Sequence, residues 1–467
     1  MSGALEGIYE PGVVDPGLPV ANSTASFWHS KSHPLSDHQS SWPSGPVDVV
    51  IIGSGISGMS IARTLATEAP QLRVILVEAR ELCSGATGRN GGHCKTMTFA
   101  MWEERKASFG IDEAIRITEW EDSHLGAMST AIRQDNIDCD LVLTDGIEAY
   151  YDQTSFQRAV KALEDMRAHL PQVAAKHTVH TDSAFLRDTL KLSDKCVGAI
   201  AIPAASIWPY KWISSVMANL VKADKINLQT HTPVHDIVDD DDKDYAVVKT
   251  SRGDIQTKHV IHATNAWLGH LLPELRSYIS PVRGNVVRYA PNEKTMTSAL
   301  GLGPDYSLWL RYGDKDYDYL IQRKAGDAIV GRANTGRKAT ADDSTTDISA
   351  MAHLRGFADE ALASPDRGSS ANITHAWAGI LAFSQDAVPF VGRLPFPGRK
   401  HQWVCGGYHA TGMIKAFRAS QLCTRMVMGR EINYEYPQSF LVTKKRIHIL
   451  RQSLDSGKMP VFYSAKM

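Results

Sequence analysis

No stretch of this chain is apolar for the roughly 20 residues a bilayer crossing needs, so no membrane segment is expected. The opening residues, MSGALEGIYEPGVVDPG, lack the basic segment and apolar core of a secretory signal. Cysteine is scarce, at six in 467 residues with no paired CxxC spacing. That speaks against a disulfide framework and a structural zinc site, and no metal is expected. Charge of one sign is not in excess either. Fifty Lys and Arg against 51 Asp and Glu give a net charge of −1, leaving no basic field for nucleic acid or anionic lipid. The expected setting is intracellular with reduced thiols, which gives the N-x-S/T triplets at Asn22 and Asn372 little weight. No internal repeat is evident.

What is present is an ordinary globular mixture, 43% hydrophobic and 22% charged, in a chain long enough for two intertwined or consecutive domains. Residues 1–45 are rich in Ser, Pro, Gly and His and read as an arm that either wraps the fold or stays loose. Order begins at Val47-Asp-Val-Val-Ile-Ile52, a continuous apolar run suited to a strand buried on both faces of a parallel sheet. Gly53-Ser-Gly55-Ile56-Ser57-Gly58 then turns into a helix with apolar Ile56, Met59, Ile61 and Leu65, and a second apolar strand, 73–77, ends at Glu78. This is a βαβ unit carrying G-x-G-x-x-G, with its acidic residue twenty positions after the last glycine. Gly53 permits a tight turn, Gly55 lets backbone approach a pyrophosphate, and Gly58 lets the helix pack closely on the strand. The pyrophosphate then sits on the positive helix end. Glu78 suits ribose hydroxyls and repels a 2′-phosphate, which disfavours NADP. The alternative is a glycine-rich turn with no ligand, and the fingerprint by itself does not choose between NAD and FAD.

Further along, residues 101–195 are mostly helical in pattern, with a strand pair near 140–151. A helix near 210–221 leads to strands near 227–237 and 245–250, and the acidic tract 239–244 between them reads as a solvated hairpin loop. Strand-like segments recur at 282–289, 307–311, 319–323 and 328–332, followed by a helix near 347–363. A last α/β stretch runs from Trp377 through Gln402–Cys405 to Gly406–Gly412 and a helix ending near Gly429.

The stretch after the second strand, Glu78-Ala79-Arg80-Glu-Leu-Cys-Ser84-Gly85-Ala-Thr87-Gly-Arg89-Asn90-Gly91-Gly92-His93, resembles that of the D-amino-acid oxidase-like FAD oxidoreductases. Within that superfamily it is nearest to the branch of γ-glutamylputrescine, sarcosine and glycine oxidases. Thr232-Pro-Val234, His262-Ala263-Thr264-Asn-Ala-Trp267, Pro281-Val-Arg-Gly284, Trp377-Ala-Gly379 with Asp386-Ala-Val-Pro389, and Gly406–Gly412 are similar to further landmarks of that family in the same order.

The resemblance implies an α/β fold in which a discontinuous Rossmann-like FAD-binding domain (46–100, 205–280, 376–435) interleaves with an antiparallel-sheet α+β substrate domain (101–204, 281–375). Residues 436–467 form a C-terminal tail. It also implies a flavin seat made by Gly53, Gly55, Ile56, Ser57, Gly58, Glu78, Ala79, Arg80, Ser84, Gly85, Thr87, Arg89, Asn90, Gly91, Gly92, Val234, Ala263, Thr264, Gly407, Gly412, Met413, Ile414 and Lys415. Relatives attach flavin through a cysteine in the segment matching 377–389; none occurs here, so non-covalent FAD is expected. Lys415 stands one place later than a substrate-binding lysine of sarcosine oxidase-like enzymes, and the oxygen-activating lysine of another relative, which should fall near Ile329, is absent; both departures weaken a sarcosine-like substrate and a fast oxygen reaction.

The implied chemistry is oxidation of a C–N bond in a small amine or amino acid, with oxygen as acceptor. The rival is a flavin dehydrogenase or a biosynthetic flavoenzyme acting on a larger amine-containing metabolite. Expected substrate-side residues are His93, Arg283, Tyr312, Tyr319, Arg323, Arg332, Trp377 and His409. An inward arginine among them could pair with a substrate carboxylate, although strand alternation makes an outward arginine equally compatible. The ending Ala465-Lys466-Met467 is a variant of a receptor-read peroxisomal address, so peroxisomal or otherwise cytoplasmic residence is expected, with an import receptor as a partner.

Overall fold

The computed structural model describes residues 9–10, 14–291, 298–303, 306–313, 316–333, 337–363, 372–432 and 436–463. The tripeptide read as a receptor address lies outside them. Two sheets organise the chain. In the first, Gln402–Gly406, Gly253–His262, Val47–Ile52, Val74–Val77 and Asn227–Gln229 lie parallel in that order. Phe390–Arg393 is an antiparallel edge, and a hairpin of Val234–Asp239 and Ala246–Thr250 joins Gly253–His262 from the side. Val49, Val50 and Ile51 are fully buried because both faces are covered, one by helices and the other by the hairpin of Val234–Asp239 and Ala246–Thr250, the condition under which a strand can be apolar throughout. Helix Ile56–Glu68 packs one face, together with Ala416–Val427 and Pro209–Lys222.

The second sheet runs Ile373–Ser384, Ile279–Tyr289, Ala328–Ala333, Tyr317–Gln322, Tyr306–Arg311, Val142–Tyr150, Gly198–Ser206 and His93–Lys95. All of these neighbours are antiparallel except Tyr306–Arg311 with Val142–Tyr150. The expected strand pair near 140–151 is one strand, whose partners come from far along the chain. Ile373–Ser384, which contains Trp377 and was assigned from sequence mostly to the cofactor-binding part, pairs along its length with Ile279–Tyr289 and belongs to this sheet. His93–Lys95 is displaced in the same sense. The glycine-rich loop after Glu78 leaves the first sheet and delivers these residues to the edge of the second, against Ala204–Ser206.

The arm wraps the fold from residue 14 onward. Thr24 bonds to the Asp343 carbonyl and accepts from the Ala378 N–H, Ser40 bonds to Leu228, and the Trp28 indole donates to the Asn90 carbonyl. Among the described residues, no helix is long and apolar enough to cross a membrane.

Candidate active site

A cleft of about 220 Å³ runs between the two sheets. At one end it is lined by Gly53–Ser57, Glu78–Arg80, Thr232 and Val234, and along its length by Ser84–Thr87 and Ala263–Asn265. Its other end is lined by Asn90, Gly91, His93, Lys95, Trp309, Tyr317 and Tyr319, facing Thr411–Ile414.

The first end is built by backbone. Gly53 has φ +105°, and a Cβ there would lie 2.9 Å from the Ala263 carbonyl oxygen. A Cβ on Gly58 would come 1.9 Å from the Gly53 carbonyl oxygen, so helix Ile56–Glu68 can sit this close only with glycine at that turn. The helix begins at Gly55 without a side-chain cap, presenting its positive end to the cleft. Glu78 is fixed at the cleft wall by three donors, the Ser54 N–H (2.9 Å), the Ser54 hydroxyl (2.6 Å) and the Arg80 N–H (3.1 Å). The buried indole N–H of Trp267 lines the cleft with no protein partner, a donor available to a bound molecule. Phosphate-binding helix end, ribose-facing carboxylate and unsatisfied donor together fit a dinucleotide laid along the cleft.

Several expected cofactor residues support this wall from behind. Arg89 donates to the carbonyls of Ser84 and Ala378, both at 2.8 Å, and reaches Asp343 at 3.3 Å, so it braces the glycine-rich loop. Gly58, Gly92, Gly407 and Lys415 are likewise absent from the lining; Lys415 is buried with its ammonium on the Thr411 hydroxyl at 2.5 Å. Burial lowers the Lys415 ammonium to about 8, although Glu121 opposes the shift.

Most of the expected substrate-side residues are also elsewhere. Arg283 is held by Asp342 and Asp347, Arg323 by Asp140 and Asp327, and Arg332 by Asp316 and Asp318. None of the three lines the cleft, because each sits on the side of its strand where carboxylates already wait. Tyr312 donates to Asp318. Trp377 is fully buried and donates to the Arg89 carbonyl at 2.7 Å, while His409 is buried with Nδ1 on the Ser384 carbonyl.

His93 and Tyr319 do reach the cleft. The Tyr319 ring lies between Gly91 and Gly331, where a Cβ would stand 2.2 Å and 2.0 Å from it. His93 accepts at Nδ1 from the Trp309 indole (2.8 Å), which can only donate. Its Nε2 therefore carries the proton and donates to Ser307 Oγ (2.8 Å). Burial, reinforced by Lys95, holds the imidazole neutral, down to about 3. It orients Trp309 and is not poised as a base.

Lys95, Trp309 and Tyr317 at this end, and Gly17–Pro19 of the arm, are among the lining residues that sequence reasoning missed. Strand register brings Glu148 beside Trp309 and Trp309 beside Tyr319, with Arg311 flanked by Tyr150 and Tyr317. Tyr317 stacks on Trp309 with centroids 4.9 Å apart, and the Lys95 ammonium lies 4.1 Å from the Trp309 ring centre. Lys95 also pairs with Glu148, which Arg311 approaches at 3.3 Å. Burial lowers the Lys95 ammonium to about 8 in spite of that carboxylate. Alternation within Ser307–Arg311 puts Ser307, Trp309 and Arg311 on one face and could have signalled the group; the contribution of Lys95 could not be read before the sheet edge was known.

A two-sheet fold with a dinucleotide cleft of this construction is that of a flavin oxidoreductase. The chain belongs to the DAO family of FAD-dependent oxidoreductases, whose family model matches residues 48–426, and FAD is its cofactor. It is similar to glycine oxidase of Pseudomonas aeruginosa, 26% identical over 393 residues that cover 82% of this chain and 95% of that protein. Gamma-glutamylputrescine oxidoreductase of Escherichia coli is 24% identical over 271 residues, 57% of this chain and 61% of that protein. Among solved structures, glycine oxidase from Geobacillus kaustophilus superposes with a TM-score of 0.69 at 20% identity, covering 86% of this chain and 99% of that one. That likeness shows the fold.

Proposed function

We propose that this enzyme oxidises the C–N bond of a small amine or amino acid with non-covalently held FAD. The observation that carries the reading is the continuity of the cleft. It leads from the pyrophosphate turn to a wall of Trp309, Tyr317 and Tyr319 that can press an amine-bearing carbon toward the flavin ring. Similarity to proteins named glycine oxidase and gamma-glutamylputrescine oxidoreductase supports the same class of reaction.

FAD held along Gly53–Ser57, Glu78 and Ser84–Thr87 would supply the two-electron chemistry, in which the carbon that bears nitrogen loses a hydride and the nitrogen a proton to leave an imine, with oxygen as the proposed acceptor and hydrogen peroxide as its product. The protein's own task is positioning. The aromatic wall excludes water and fixes the C–H bond, and neutral His93 holds Trp309 in place. No protein nucleophile is required. Among the described residues no cysteine lines the cleft, and both ring nitrogens of His93 are engaged, which supports non-covalent flavin.

The test is a panel of amines and amino acids added to the yellow protein without air, then with it. Bleaching followed by reoxidation with stoichiometric peroxide is expected. Bleaching that oxygen cannot reverse would favour an acceptor-dependent dehydrogenase, and a flavin that no amine bleaches would overturn the reading.

A further inference from the structure

The family match begins at residue 48, so the arm lies outside it, yet Gly17, Leu18 and Pro19 line the cleft. We propose that Asp15–Val20 is a strap that retains FAD, fixed at its Val20 end and released by opening a latch at Asp15. Its role depends on FAD being the cofactor and not on which amine is oxidised. The segment, Asp15-Pro-Gly-Leu-Pro-Val20, is stiff by composition. Pro16 and Pro19 fix φ and cannot donate, and Gly17 takes φ +62°, the order of proline then glycine that suits a tight turn. Asp15 Oδ1 accepts from the Gly17 N–H at 2.9 Å and closes that turn. Among the described residues, this is the one hydrogen bond made by the backbone of 16–19. The span is therefore held by its ends.

The two ends are fastened differently. Arg80 donates to the Val20 carbonyl at 3.1 Å, and Arg89 donates to Ser23 Oγ at 2.5 Å and to the Thr24 carbonyl at 2.6 Å. Both guanidiniums are buried and share fully buried Asp343, so this end cannot let go without undoing the wall of the cleft. At the other end Asp15 pairs with Arg276 at 2.8 Å and with the His270 ring at 3.0 Å, and all three side chains are partly exposed. Exposed pairs of this kind contribute little and weaken with salt. One end is thus a hinge and the other a latch. His270 itself lines the cleft, so the latch closes on a residue of the wall. The strap therefore meets the cleft where Glu78–Arg80 and His270–Leu271 stand, which is the ribose-facing end, and the half of FAD it covers is the adenosine half. Leu18 lies between the two fastenings, lines the cleft and is 37% exposed. It is the one large apolar side chain between Asp15 and Val20, and a planar base is a surface it can cover.

The experiment follows FAD release from the loaded enzyme, as flavin fluorescence after dilution, in wild type, Asp15→Asn and Leu18→Ala. Both positions are exposed, so the fold should accept the changes. D15N keeps an acceptor for the Gly17 N–H and removes the charge, which separates the latch from the turn. Losing two exposed pairs should speed release by about three- to tenfold in D15N, and losing the apolar cover by roughly fivefold in L18A. High salt should drive wild type toward the D15N rate and move D15N far less. Without FAD, both variants should melt with wild type, since a strap acts on the bound cofactor. Release at the wild-type rate from both variants overturns the strap. Faster release from an equally destabilised apoprotein overturns it too, because the arm would then be structural only. Faster release from L18A with D15N at the wild-type rate keeps the strap and overturns the latch, and the reverse keeps the latch and overturns Leu18 as the cover. Release from wild type that salt does not alter overturns the latch without any variant.

Discussion

The two ends of the cleft are made of different material. At the pyrophosphate end the chemistry belongs to the main chain: a turn, a helix end and glycines that keep side chains away, all within residues 53–58. At the aromatic end it belongs to side chains of the paired strands Tyr306–Arg311 and Tyr317–Gln322, with His93 and Lys95 brought against them from more than 200 residues earlier on the strand His93–Lys95. Backbone sites tolerate almost no added volume, whereas side-chain sites tolerate substitution and answer with altered specificity.

The largest expected effect lies at the backbone end. Gly55→Leu should abolish FAD binding, because a Cβ there already stands 2.9 Å from the Thr87 hydroxyl and the rest of the side chain would occupy the pyrophosphate position. The check is the flavin-to-protein absorbance ratio of folded, purified protein; yellow G55L would break the comparison.

Next comes Arg332→Ala, which leaves fully buried Asp318 with His353 and Tyr312 in place of its guanidinium. Removing one partner of a buried pair costs about 3–5 kcal/mol, and the surviving contacts place this variant toward the lower end. Its melting temperature should fall while KM stays near wild type. A rise in KM without loss of stability would return this arginine to the substrate site.

Trp309→Ala should keep its flavin yet lose affinity for substrate, since it removes the platform beneath the Lys95 ammonium and frees His93. Titration of the flavin spectrum with substrate separates this from a cofactor defect.

The smallest effect is one of acidity. Burial alone would raise the Glu148 carboxyl, but Arg311 and Lys95 outweigh it and hold the group well below its ordinary value of 4.5. A carboxyl lowered on folding contributes stability that is present above its unfolded pKa and lost as pH falls toward the folded one. Wild-type stability should therefore decline below about pH 4.5, and Glu148→Gln should flatten that acid limb in denaturation curves.

The same contrast explains what could be read in advance. Glycine spacing and an acidic residue at a strand end are local, so the cofactor turn, its helix and Glu78 are visible in thirty residues of text. Arg89, Gly58 and Trp377 were visible too, but as members of a motif; only coordinates separate residues that touch the cleft from those that brace its wall. At the other end sequence offered arginines on strands without saying which way they faced, and period-two alternation is blind to that choice. Lys95 carries no local mark at all. It becomes a site residue only because the loop before it crosses from one sheet to the edge of another.

The arm puts this molecule in an unusual position as a folding problem. Thr24 is bonded to Asp343 and Ala378, partners 319 and 354 residues away, so these contacts close very long loops. The segment is translated well before the surface it docks on exists, and its Gly17–Pro19 stretch is one wall of the FAD cleft. The part made early can therefore dock only once residues made some 300 positions later are in place, and the cleft wall that Gly17–Pro19 supply is completed only then.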